Sequence, residues 1–307
     1  MIIVGAGISG CVLSERLASL GHKVMLIEKT NHIGGNCYDY INEDGILVPK
    51  YGPHLFHTNS EKVWEYVNRF SEWTPYEHRV LAEIDGELKI VPPTQDYADK
   101  VFKGYTKKFW GKYYDKLKPE VRARVKIRTD NDDRYFKDKY QAMPKEGYTK
   151  MFEKMLSHPN IEVRLNTDFF KTGLKSDYYT GRLDEYHNYK YGKLPFRSLK
   201  FKHQTLKMEY YQPVAVVNYP QTKRYTRITE PKHATGQICP KTTIIREYPT
   251  WKGEPYYPVP TLKTEALAEK YKQANFLGRL GTYQYLNMDQ AILNALNEEL
   301  TNVCQSE

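Results

Sequence analysis

The chain opens on four apolar residues, Met1-Ile2-Ile3-Val4, the length of a buried parallel strand. Gly5 to Gly10 follow at once. Cys11, Leu13, Leu17 and Leu20 then recur at helical spacing, with Arg16 on another face and Gly21 suited to the residue just past the helix end. Lys23-Val24-Met25-Leu26-Ile27 forms a second buried run and ends at Glu28. Strand, glycine loop, helix and strand in this order predict the start of an α/β fold with a parallel sheet.

Further along, residues 61–70 predict a short helix with Val63, Trp64, Val67 and Phe70 as its apolar positions. Leu81 to Val91 alternates around Asp85-Gly86, the signature of a β-hairpin, and Pro92-Pro93 breaks the chain. Residues 96–122 read as helical and rich in lysine and aromatics, and 123–142 as strand and then loop. A helix is expected between Met143 and Leu156, and strands at 161–165 and 176–181. Residues 199–218 and 241–247 are β-rich. Asn275-Phe276-Leu277-Gly278 reads as a last buried strand, followed by an amphipathic helix from Asp289 to Leu300 with Ile292, Leu293 and Leu296 on one face.

At 307 residues the chain has length for about two domains. Apolar residues make up 40% and charged residues 27%, ordinary for a globular protein, and no run of eighteen apolar residues predicts a membrane span. The N-terminus lacks the basic and small-residue features of a signal peptide, so a cytoplasmic protein is expected. Cys11, Cys37, Cys239 and Cys304 are far apart, which excludes a zinc ribbon or disulfide scaffold.

A net charge of +9 with 27 tyrosines fits a polyanionic partner held by charge and stacking, either nucleic acid or a nucleotide with its pyrophosphate. The basic residues are scattered and no nucleic-acid motif appears, so neither a nucleic-acid nor a membrane partner is expected. His54 and His57 are spaced as metal ligands could be, but no carboxylate or cysteine completes a set, and no metal is expected.

A lone GxGxxG is weak evidence, but here a strand precedes it, a helix follows, and Glu28 lies eighteen residues past Gly10. Gly5 permits the tight turn, Gly7 lets a pyrophosphate approach the backbone, and Gly10 lets helix and strand pack closely. Glu28 can accept from ribose hydroxyls, and the helix N-terminus supplies free N–H groups. NAD and FAD share this fingerprint. Glu28-Lys29 followed by Gly34-Gly35-Asn36 resembles the extended FAD motif of amine-oxidase-like flavoproteins, and favours FAD.

The block GRLGTYQYLNMD at 278–289 closely resembles the UDP-galactopyranose mutase family. GPHLFHT at 52–58, KGYTKKFWG at 103–111, DDRYFKDKYQAMPKEGYT at 132–149, TRITEPKH at 226–233 and EPYYPVP at 254–260 resemble it too, in family order. The resemblance implies an isomerase that interconverts UDP-galactopyranose and UDP-galactofuranose on reduced FAD. It implies that flavin N5 forms a covalent adduct with the galactose while UDP is released and recaptured. Galactofuranose supply to surface glycans, a flavin reductant of the NAD(P)H type and, as one option, a homodimer belong to the same expectation.

By position, the resemblance implies that Arg124 and Arg227 bind the substrate phosphates and that Tyr257 and Tyr285 hydrogen-bond the diphosphate. Tyr135 matches the tyrosine beside uracil, Tyr105 and Trp110 match aromatics of the mobile-loop region and uridine pocket, and Asn287 stands where many bacterial members have aspartate. Gly278, Arg279 and Met288 match a second FAD contact, and His54 the histidine that helps stabilise reduced flavin.

The implied fold is a Rossmann-like FAD-binding domain with an inserted, shortened helical region and an antiparallel β-sheet substrate domain. The expected boundaries are 1–80, 160–198 and 262–307 for the first, 92–159 for the second, and 81–91 with 199–261 for the third. Only twelve residues separate Pro92 from Tyr105, where family members carry several dozen, and position 101 is valine where a phenylalanine is frequent. A catalytically impaired FAD- and UDP-sugar-binding member of the family is therefore the alternative expectation.

Overall fold

The computed structural model describes residues 1–122, 126–221 and 223–298. Four parallel strands lie side by side in the order Ile161–Arg164, Val24–Ile27, Ile2–Val4 and Tyr178–Tyr179. The helix Ile8–Ser19 packs along this sheet and against the helix Met288–Asn297. Ile3, Leu13, Leu17 and Leu26 are fully buried between them, and each contributes about 1.5–3 kcal/mol. Arg16 donates to the carbonyl oxygens of Ala295 and Glu298, which places a cation at the negative end of the last described helix.

A second sheet has seven strands, in the order Tyr257–Pro258, Phe196–Leu206, Thr242–Thr250, Arg227–Thr229, Val216–Asn218, Val80–Ile84 and Glu87–Val91. It is the expected antiparallel sheet, with one parallel pair where Val216–Asn218 runs beside Val80–Ile84. Its order places Arg227 directly opposite Glu247. Phe56–Thr58, Tyr140–Pro144 and Trp73–Pro75 form a small third sheet, and Asp39–Ile41 pairs with Leu47–Pro49 as a hairpin. Asp39 ties that hairpin to the helix Tyr148–Met155. Its carboxylate accepts from the backbone N–H groups of Tyr148 at 2.7 Å and Thr149 at 2.8 Å.

Three expectations are corrected. The helical stretch 96–122 divides into Ala98–Trp110, a 3-10 turn Gly111–Lys116 and the short helix Pro119–Arg122, because Gly111 takes a positive φ of 51°. Residues 126–139 form no strand and make only an isolated bridge between Arg134 and Arg79. The last buried strand reduces to a single parallel bridge between Phe276 and Tyr179, ended by Gly278 at φ +74°. Leu300, expected on the final helix, lies outside the described residues. Among the described residues no helix is long and apolar enough to cross a membrane.

Candidate active site

Two glycine segments meet at the start of the first long helix. The Gly34 N–H donates to the Ala6 carbonyl at 2.7 Å, and Gly7 bridges Gly34. A Cβ on Gly10 would lie 2.0 Å from the Gly5 carbonyl oxygen, and one on Gly5 would lie 2.1 Å from Thr180 Oγ1, so both positions need glycine for packing. A Cβ on Gly7 would meet nothing within 4 Å. No side chain caps this helix and its first turn carries no acid. An uncapped N-terminus facing open space at Gly7 fits the pyrophosphate of a dinucleotide.

Glu28 is buried and holds the loop from the other side. Its carboxylate accepts from the N–H groups of Ala6 and Thr30, each at 2.8 Å. Lys29, by contrast, is exposed and pairs with Glu254 at 2.9 Å. Asn36 lies in the 3-10 turn Gly35–Cys37. Gly278 packs near Ser9 and Thr180, and Met288 Sδ lies 3.6 Å from Cys37 Sγ, so the C-terminal segment joins the same cradle.

Beside the cradle lies a cluster of cations and tyrosines. Arg227 donates through Nε and Nη2 to one Glu247 oxygen, each at 2.9 Å. Glu247 is 2% exposed. Burial alone would lower the Arg227 pKa, but Glu247, with Tyr105 and Tyr257, outweighs it and holds the guanidinium firmly charged. The rings of Tyr257 and Tyr285 stack at 5.2 Å, and the Arg279 guanidinium lies 4.9 Å from the first and 5.3 Å from the second. Burial, then Tyr285 and Glu247, push the Tyr257 hydroxyl up to about 12, so it stays a donor at neutral pH. Burial likewise raises the Tyr105 pKa, with Glu247, Tyr257 and Tyr135 adding to the rise.

His54 is half-buried, and its Nδ1 donates to the Gly52 carbonyl at 3.1 Å. Burial, followed by the charges of Arg279 and Arg227, lowers its pKa to about 4. The imidazole is therefore neutral, and with Nδ1 donating, Nε2 carries the lone pair. His78 is buried next to Tyr135, whose N–H donates to its carbonyl at 2.7 Å. Burial, then Arg227 and His57, lowers the His78 pKa to about 3.

The structure thus gathers Arg227, Tyr105, Tyr135, Tyr257, Tyr285, Arg279 and His54 around one region. Asn287 opens the helix Met288–Asn297 in a capping box with Gln290, its own N–H donating to Gln290 Oε1 at 2.9 Å. Trp110 is buried against Phe109, in a cluster with Leu117 and Val259 on which Tyr105, Tyr257 and Tyr285 pack, so it borders the same region. Arg124 lies outside the described residues. Glu247 and His78 belong to the site and escaped the sequence reading. Glu247 lies in a β-rich run with no motif, and only strand register reveals its partner.

A family model described as UDP-galactopyranose mutase matches residues 100–285, and one described as NAD(P)-binding Rossmann-like domain matches residues 3–70. The chain is 36% identical to a probable UDP-galactopyranose mutase of Klebsiella pneumoniae, with 100% of this chain and 96% of that protein covered. It is 33% identical to the UDP-galactopyranose mutase of Mycoplasma genitalium, with 97% of this chain and 93% of that protein covered. Both alignments run over 376 positions against 307 residues here, so those relatives carry segments that this chain lacks. A crystal structure of reduced UDP-galactopyranose mutase superposes with a TM-score of 0.79 over 99% of this chain and 96% of that one, at 14% identity, and so shares the fold.

Proposed function

The chain belongs to the UDP-galactopyranose mutase family, and we propose that it interconverts UDP-galactopyranose and UDP-galactofuranose with reduced FAD bound. The observation that carries this reading is Arg227. Its charge is fixed by Glu247 along one edge, with Tyr105 and Tyr257 close enough to support it, and Tyr257 stacks on Tyr285 beside Arg279.

In this reading Gly5, Gly7 and Gly10, with Gly34, Gly35 and Asn36, hold the FAD pyrophosphate. Glu28 holds the ribose, with Lys29 beside it. Gly278, Arg279 and the Met288 backbone hold the flavin end. Reduced FAD supplies the nucleophile for the anomeric carbon. Arg227 and Arg124 hold UDP before the sugar bond breaks, carry the charge of the leaving diphosphate, and keep UDP in place for return. Tyr257 and Tyr285 donate to the same oxygens, and the raised pKa of Tyr257 keeps its buried phenol protonated. Tyr105, Tyr135 and Trp110 seat the uridine, Asn287 orients the site from the helix start, and neutral His54 offers Nε2 as an acceptor without adding to the positive charge of the arginines. The reductant is of the NAD(P)H class, the compartment is the cytoplasm, the product feeds surface glycans, and a homodimer is the assembly to look for.

The test incubates the protein anaerobically with FAD, dithionite and UDP-galactofuranose and follows UDP-galactopyranose by chromatography, beside an oxidised control. Conversion in the reduced sample alone supports the reading. Absence of conversion from protein with a bound-flavin spectrum supports the impaired-binding alternative instead.

A further inference from the structure

Next to the candidate site, a cleft of about 1040 Å³ opens between the 39–49 hairpin and the strand Phe196–Leu206. None of its lining residues belongs to the catalytic cluster. Gly52 forms the partition, since a Cβ there would lie 3.0 Å from the Phe201 ring on the cleft side and 3.2 Å from the Glu247 carboxylate on the other.

One wall is aromatic and fixed in place. His32 stacks on Tyr38 at 4.0 Å between ring centres. Its Nδ1 donates to the Ile33 carbonyl at 3.1 Å, so its Nε2 accepts from the Tyr51 hydroxyl at 2.8 Å. Tyr51 packs on Tyr256 at 5.9 Å and on Phe201 at 6.3 Å. These rings need no reordering to receive a flat partner.

The lining also carries positive charge. Lys50, Lys200, Lys202 and Arg224 contribute to it, and no carboxylate does. Lys50 Nζ lies 5.6 Å from the Tyr38 ring and 5.3 Å from the Tyr51 ring, so positive charge and aromatic surface share one spot. Lys139, which lies over the Tyr140 ring, is by contrast paired with Glu61. No such ion pair forms at these four cations among the described residues.

We propose that this cleft is a second binding site, for a nucleoside diphosphate. Planar bases stack on fixed rings whatever their identity, and clustered cations take the phosphates. The volume suits a ligand of this size. A site outside the catalytic cluster would raise the local concentration of nucleotide near it, or report nucleotide levels to it.

The test titrates FAD-loaded protein with ADP and with UDP by isothermal calorimetry. The expected result is one ADP and two UDP bound by the parent protein. The Lys50→Glu/Lys202→Glu variant loses ADP binding and the second UDP event by at least tenfold, with mutase turnover unchanged at saturating substrate. Arg227→Ala retains ADP binding and loses the other UDP event. Absence of ADP binding, or ADP binding that is equal in the charge-reversed variant, overturns the proposal. Binding of heparin that depends on Lys50 and Lys202, without ADP binding, overturns it in favour of an acidic glycan. Loss of the mutase reading alone leaves ADP binding intact, so the two ideas fail separately.

Discussion

Arg227 and Glu247 face each other across two neighbouring antiparallel strands and share one carboxylate oxygen with two guanidinium nitrogens at 2.9 Å. The acid is almost wholly buried, while the Arg227 side chain keeps about a fifth of its surface exposed, at 21%. Removing one member of such a pair leaves a buried charge alone, which costs about 3–5 kcal/mol when both are dry and less when one touches water. Glu247→Gln is therefore expected to lower stability by about 2–3 kcal/mol. It is also expected to weaken UDP binding by about tenfold, through a less firmly held arginine. Urea unfolding and tryptophan quenching by UDP measure both effects. Unchanged UDP affinity in a destabilised variant would make Glu247 a purely structural partner.

The glycine loop gives a sharper contrast. Gly10→Ala drives a methyl group onto the Gly5 carbonyl, so it is expected to destabilise the fold by about 1–3 kcal/mol or prevent it. Gly7 has φ −75° and open space where a Cβ would go, so Gly7→Ala is expected to fold with a loss of about 0.5–1 kcal/mol. Its FAD affinity is expected to fall at least tenfold, because the methyl group enters the space given to the pyrophosphate. Thermal unfolding of the apoprotein and flavin fluorescence titration separate the two. Full FAD affinity in Gly7→Ala would remove the pyrophosphate from this loop.

These glycines were legible in the sequence because their chemistry is local. A strand, a turn and a helix within thirty residues fix Gly5, Gly7, Gly10 and Glu28 whatever the rest of the chain does. The 80–91 hairpin and the helices at 61–68, 148–155 and 288–297 were legible for the same reason. The 39–49 hairpin was not, since two strands of three residues carry too little alternation to register. The Arg227–Glu247 pair was not either, because it depends on strand order across a seven-stranded sheet. Residues 275–278 are apolar enough for a strand, but Gly278 turns the chain after one bridge. Arg279 was assigned to the cofactor by resemblance, and only the fold places its guanidinium against Tyr257 and Tyr285.

Asn287 tests whether an asparagine serves where an aspartate is frequent in the family. Its side chain accepts the backbone N–H of Gln290 at the start of the helix Met288–Asn297, a bond that a carboxylate makes equally well. Asn287→Asp adds a negative charge at the positive helix end and is expected to match or exceed the parent stability by about 0.3–1 kcal/mol. Asn287→Ala removes the cap and is expected to cost about 1 kcal/mol. Thermal melts of the three proteins decide the matter. An Asp variant less stable than the Ala variant would mean that nearby acids, not the cap, govern the position.

Two histidines give the site a pH signature. His54 and His78 have pKa values lowered from 6.5 to about 4 and about 3. In the unfolded chain both take up a proton near pH 6.5, while in the folded protein they stay neutral until the pH is far lower. Below 6.5 the unfolded state therefore binds more protons, and stability falls as the pH falls. The stabilising contribution is fully present above pH 6.5 and is lost progressively toward pH 3–4. For buried His78 the slope is about 1.4 kcal/mol per pH unit within the window. His78→Gln removes that group and is expected to flatten the dependence between pH 6.5 and pH 5, even if its stability at pH 7.5 is lower. Urea midpoints at pH 7.5, 6.5, 5.5 and 5.0 supply the comparison. The same slope in the variant and the parent would show that His78 takes up its proton equally in the folded and unfolded states, and that burial, with Arg227, does not hold it neutral.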